Sequence, residues 1–118
     1  MKYPLFLKLY NEAKQYQDAD MYIAERGWQE WMDQYGNDSD ISKISTILFR
    51  IHALANASME ESRNVAGYPK RTGFCTTYQI PDPTVQRWEY GTSEMKSYDR
   101  AMIDYTFFIS YLMDEEIL

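Results

Sequence analysis

The window Pro81-Asp82-Pro83 constrains this chain more than any other three residues. A proline inside a helix removes a backbone donor and clashes with the preceding turn, whereas in a first turn it is tolerated. Two of them so close together therefore end one helix and start another. Phe74 to Ile80 lies before the break and Thr84 to Tyr90 after it, with Gly91 as the stop. Phe74, Tyr78, Ile80, Val85 and Trp88 then fall where two crossed helices would pack, so the stretch reads as helix, tight turn, helix.

The same residues carry a resemblance. The pattern Phe74-Cys75-x-x-Tyr78-x-Ile80-Pro81-x-x-Thr84-Val85-Gln86-x-Trp88-Glu89-x-Gly91 resembles the helix-turn-helix core of phage-repressor type (Xre-like) DNA-binding domains, in the versions carried by Gram-positive bacteria and their mobile elements. The resemblance implies a lambda-repressor-like unit with Met59 to Ala66 as its first helix, about Arg71 to Gln79 as its second and Asp82 to Tyr90 as its recognition helix. The helix from Tyr98 onward closes it. Carried over, the groove-facing residues are Asp82, Pro83, Gln86 and Arg87, with Thr84 beside them and Lys70 and Arg71 near the phosphates. Arginine reaching guanine O6 and N7, and glutamine pairing with adenine, are the contacts such positions make. Three features depart from the family: Asp82 and Pro83 stand where Gln, Ser or Arg is usual, Lys70 replaces a capping Ser or Thr, and one extra residue separates Gly67 from Phe74.

Charge enters as the counter-argument. The formal net charge is -6, whereas phosphate neutralisation favours a basic DNA-binding surface. From Ser62 to Trp88, however, Arg63, Lys70, Arg71 and Arg87 face only Asp82, so the acids lie mostly elsewhere.

Along the chain, Pro4 opens a helix to about Tyr16. Asp18 and Asp20 cap a second, with Ala24, Trp28, Trp31 and Tyr35 on its face, Gly36 as its end and Gly27 as a break or kink. Asn37-Asp38-Ser39-Asp40 reads as a turn. Ile41, Ile44, Leu48, Ile51 and Ala55, widened by Ile47 and Leu54, mark a third helix that yields near Asn56. Ser58 and Glu61 form a capping box for the fourth. Ser97 caps a last helix, Tyr98 to about Asp114, apolar on nearly every face between Met102 and Met113, as in a helix that is either central to the core or shared with another subunit. No strand pattern or repeat interrupts this series. The expected class is all-α, one domain over residues 1–118: N-terminal helices to 57, then a helix-turn-helix unit with its closing helix.

The remaining candidates read as structural. Trp88 packs inward and Glu89 pairs with an arginine such as Arg63; Cys75 is a core thiol; His52 is a core-margin residue without catalytic partners; Trp28 and Trp31 pack. No metal-ligand spacing, glycine-rich phosphate loop or nucleophile constellation occurs, so no enzyme, metal or cofactor is expected. The lone cysteine, the absence of a signal peptide and the lack of a long apolar run point to the cytoplasm. The sequence thus leads to a sequence-specific DNA-binding transcription regulator that binds double-stranded DNA as a homodimer, away from membranes. The alternative is the same fold reused for a protein partner, as an antitoxin, an anti-defence or mobile-element accessory protein, or a nucleic-acid mimic.

Overall fold

In the computed structural model, which describes residues 1–36, 41–92 and 94–117, the chain is all-helical, with no strand among the described residues. Seven α-helices follow in order: α1 (Tyr3–Ala13), α2 (Ala19–Ala24), α3 (Ser42–Asn56), α4 (Met59–Val65), α5 (Arg71–Tyr78), α6 (Asp82–Tyr90) and α7 (Ser97–Asp114), with a 3-10 turn at Glu30–Gln34. The turn expected at Asn37-Asp38-Ser39-Asp40 lies outside the described residues.

Helix α3 is the centre of the molecule. Its Ile44, Ile47, Leu48, Ile51 and Leu54 are buried, and α1, α2, α4 and α7 all pack on it. One continuous apolar cluster runs from Phe6 and Tyr10 on α1, through α3, to Phe74 on α5, Val85 on α6 and Phe107, Phe108 and Leu112 on α7. Aromatic rings fill it at both ends: Phe6 against Phe108, with centroids 5.1 Å apart, and Phe74 against Tyr78 and Phe107 at 4.8 and 5.7 Å. Such edge-to-face and offset pairs add to plain area burial. His52 is buried too, with its Nε2 2.7 Å from the Tyr16 carbonyl and its ring beside Tyr22.

Four expectations are corrected. The second helix does not reach Gly36: α2 stops at Ala24, the break read at Gly27 is present as a left-handed residue at φ 66°, and only the 3-10 turn follows. A left-handed residue cannot continue a right-handed helix, so the break dominates over the Trp28, Trp31 and Tyr35 periodicity. Ile41 is the exposed residue preceding α3 rather than part of its buried stripe. Ser97 is the first helical residue of α7, behind Lys96, and supplies no cap. Finally, α7 is not buried all round within one chain, as a helix central to the core would be. Met102 and Met113 are exposed, because its packing partners α1, α3 and α4 all meet the Ala101, Phe107, Phe108 and Leu112 side.

The most informative buried group is one that periodicity hides. Asp104, in the middle of α7, is fully buried and accepts from the Tyr10 hydroxyl at 2.5 Å and from Arg100 Nε at 2.9 Å. Arg100 Nη2 in turn faces the carbonyls of Leu54 and Ala57, at 3.2 and 2.7 Å, and the Ser62 hydroxyl at 2.7 Å. This one guanidinium thereby ties α7 to the end of α3 and to α4.

Helix α5 ends on Gln79, a non-glycine residue held left-handed at φ 54° and ψ 43°, and the Ile80 N–H then closes the turn onto the Cys75 carbonyl at 3.1 Å. The left-handed region costs an L-residue roughly 1–2 kcal/mol, offset by the extra unfolded-state entropy that a glycine brings, roughly 0.4–1 kcal/mol. Gln79→Gly is therefore expected to raise stability by about 0.5–1 kcal/mol, read as a higher urea midpoint at unchanged m-value. A lower midpoint would show that the Gln79 side chain contributes more than its backbone costs.

Candidate nucleic-acid interface

The unit that would face DNA is built from α4, α5 and α6, and its geometry starts from a buried ion pair. The Ser58 hydroxyl accepts from the Glu61 N–H while the Glu61 carboxylate accepts from the Ser58 N–H, which fixes the start of α4 as a capping box. The Ser58 N–H also pulls the Glu61 carboxyl below its ordinary pKa. From α4, Arg63 crosses to the last turn of α6. Its Nε and Nη2 donate to the two Glu89 oxygens at 2.9 and 3.1 Å, and its Nη1 donates to the carbonyls of Tyr68 and Pro69 at 3.0 and 2.9 Å. Side-chain exposure is 5% for Arg63 and 3% for Glu89, so the pair is a bidentate clamp inside the fold. The Arg63 and Glu89 partnership read from the sequence is present as expected.

The inner face of α6 is thus committed to structure: Val85 is fully buried, Trp88 packs against the core and Glu89 holds Arg63. Its outer face is different. Pro83, Gln86, Arg87 and Tyr90 recur at three- and four-residue spacing and share one side of the helix. Pro83 and Arg87 are exposed and Gln86 is half-buried, while Tyr90 is 67% exposed. Thr84 lies beside this stripe, 3.5 Å from Arg87 Nη2. Gly91, left-handed at φ 73°, ends the helix.

Of the seven residues singled out from the sequence, the structure brings all to α5, to α6 or to the start of α5, but not with equal freedom. Lys70 is exposed at the N-cap of α5, and neither it nor Arg87 meets a carboxylate among the described residues. Arg71 does. Its Nε donates to Asp82 Oδ1 at 2.9 Å, an ion pair joining the start of α5 to the start of α6. The Asp82 carboxyl is held below its ordinary pKa, chiefly by that hydrogen bond, and the Arg71 guanidinium is pushed up by the same contact. The Cys75 thiol lies 3.7 Å from the same Oδ1, and burial pushes its pKa up, which keeps it a thiol.

Two elements of this surface escaped sequence reasoning. Tyr90 is its largest exposed side chain; the signal was its position three and four residues beyond Arg87 and Gln86. The mutual neutralisation of Arg71 and Asp82 was the other. The eleven-residue separation says nothing until the turn at Gln79 to Pro81 brings both helix starts together.

Compared with known proteins, the chain matches no family model, no curated protein and no solved structure.

Proposed function

We propose that the chain is a cytoplasmic, sequence-specific DNA-binding regulator of helix-turn-helix type, with α6 as its recognition helix. One observation carries the reading: every side chain that anchors α6 lies on its inner face, leaving Pro83, Gln86 and Arg87 outward, with no carboxylate on Arg87 among the described residues. In the groove, Arg87 would donate to guanine O6 and N7 and Gln86 would pair with adenine, while Lys70 would meet phosphate. A two-fold dimer would set two such helices one DNA turn apart and double a small positive patch.

The test is a mobility-shift titration of wild type beside Arg87→Ala, at two salt concentrations, on duplexes that include the upstream region of the chain's own gene. Wild type is expected to show salt-sensitive binding, and the variant to lose roughly 1–3 kcal/mol of sequence discrimination. Absence of salt-sensitive binding to any duplex sinks the proposal. Uniform weakening across sequences would instead move Arg87 from a base to a phosphate.

Asp82→Asn supplies an independent expectation. Releasing Arg71 adds one cation at the start of α5, so non-specific affinity should rise, and the slope of log K against log salt should steepen by about 1. An unchanged slope would mean that Arg71 does not reach the backbone.

A second reading, a protein-binding helix-turn-helix fold, is favoured by the same ion pairs. Glu89 and Asp82 absorb two of the four local cations, leaving Lys70 and Arg87, and Tyr90 offers an aromatic anchor of the kind enriched at protein interfaces. Recovery of one stoichiometric protein partner by pull-down, together with no DNA binding, would replace the first reading by this one.

A further inference from the structure

Between α2, the 3-10 turn and the first half of α3 runs a groove of about 210 Å³. Buried Met32, Ile44 and Leu48 and half-buried Ile23 line it, and Trp28 and Ile41, 40% and 51% exposed, stand where it opens to solvent. Around this apolar strip the exposed charge is nearly all negative. Asp33 accepts from the Trp28 indole Nε1 at 2.6 Å, Glu25 sits between the groove residues Ala24 and Arg26, Asp20 precedes Ala24 by one helical turn, and Glu30 lies just before Met32. All four acids are exposed, and none is in an ion pair among the described residues. Of the nearby cations, Arg26 has a side chain only 6% exposed and paired with Glu12, which leaves Lys43 on α3 as the exposed positive charge beside the groove among the described residues.

We propose that this groove docks a basic segment of a protein partner, which seats one large apolar side chain beside Trp28 and sets lysine or arginine on either side against the acidic rim. An exposed apolar strip ringed by polar groups marks a place where another molecule sits. Charge selects its class: Asp20, Glu25, Glu30 and Asp33, against Lys43, repel nucleic-acid phosphate and anionic headgroups and attract Lys and Arg. A second copy, with its net charge of -6, would bring mostly like charge to the rim. Trp28 is an anchor of the kind enriched at protein interfaces, and its hydrogen bond to Asp33 fixes the ring before docking, so less side-chain freedom is lost on binding. Size bounds the inserted group: an apolar cavity of about 150 Å³ accommodates benzene, so one leucine or phenylalanine side chain fills this groove. The α6 surface takes no part, so docking here does not depend on DNA binding.

The test is a titration of the ¹⁵N-labelled full chain, at low salt, with the end-capped peptide Lys-Arg-Lys-Leu-Lys-Arg-Lys, followed through the Trp28 indole and the Ile44 and Leu48 amide resonances. This peptide is expected to shift them saturably and to bind roughly tenfold more tightly than the same peptide with alanine at its centre, because only leucine fills the groove. Ala24→Phe, at an exposed position of the groove wall, should erase that preference. The double change Asp20→Lys with Glu30→Lys, also at exposed positions, should weaken the leucine peptide roughly tenfold. The proposal is overturned by the absence of saturable shifts at these residues, by equal wild-type affinity for the leucine and alanine peptides, or by an unchanged affinity of the charge-reversed variant. Equal binding of Glu-Asp-Glu-Leu-Glu-Asp-Glu overturns it as well. Shifts of the same resonances with protein concentration alone would give the groove to a second copy and overturn it too.

Discussion

Glu89→Ala is expected to destabilise the fold by about 3–5 kcal/mol, the cost of stranding a buried charge. The reason lies in Arg63, which is almost fully enclosed and directs two of its donors at the Glu89 carboxylate. Truncating Glu89 leaves that cation among α4, α6 and the Tyr68 and Pro69 carbonyls, which satisfy Nη1, with only the exposed Glu60 carboxylate, 3.8 Å from Nη2, to offset its charge. Because apolar side chains of similar volume often replace a buried ion pair without loss, the pair Arg63→Met with Glu89→Leu should recover most of the deficit. Urea unfolding of the two single variants and the double variant provides the cycle. A single-variant loss below about 1 kcal/mol, or a double variant worse than both singles, would show that the clamp is not what fixes α6.

Asp104→Ala should be comparably severe, again about 3–5 kcal/mol, through a different network. Here the stranded groups are the Arg100 guanidinium and the Tyr10 hydroxyl. Burial pushes the Asp104 carboxyl above its ordinary pKa, against the pull of Arg100 and Tyr10. The folded state therefore holds this proton more tightly than the unfolded chain does. The contribution of Asp104 to stability is largest below the unfolded carboxylate pKa and declines as pH rises through the folded value. Wild type should accordingly lose some stability over that acid window relative to Asp104→Ala, while remaining the more stable at neutral pH. If the two unfold with the same pH dependence from pH 3 to 7, desolvation is not what governs this carboxyl. Tyr10→Phe, which removes a neutral donor only, should cost less, about 0.5–1.5 kcal/mol.

Much of this architecture was legible because local chemistry dictated it. Pro81 and Pro83 fixed the break before α6, Ser58 and Glu61 the start of α4, and the Ile47, Leu48 and Leu54 stripe the buried face of α3. Misreadings arose where one signal opposed another. The Trp28, Trp31 and Tyr35 period suggested a helix running past the Gly27 break to Gly36, and the apolar abundance of α7 concealed that within one chain only one side has anything to pack against. At the candidate interface, the identity of the outward residues followed from helical spacing. Their electrostatic state did not, because Arg71 with Asp82, and Arg100 with Tyr10 and Asp104, are set by tertiary geometry across separate helices.

The Arg100 guanidinium has a mechanical meaning as well. The segment between α3 and α4 is short and would ordinarily serve as a hinge, yet the carbonyls of Leu54 and Ala57 on one side and the Ser62 hydroxyl on the other converge on a single side chain of α7. The joint is therefore bolted from a third direction. A displacement of the N-terminal helices would carry α4 and, through Arg63, the last turn of α6 with it rather than being taken up in the connection.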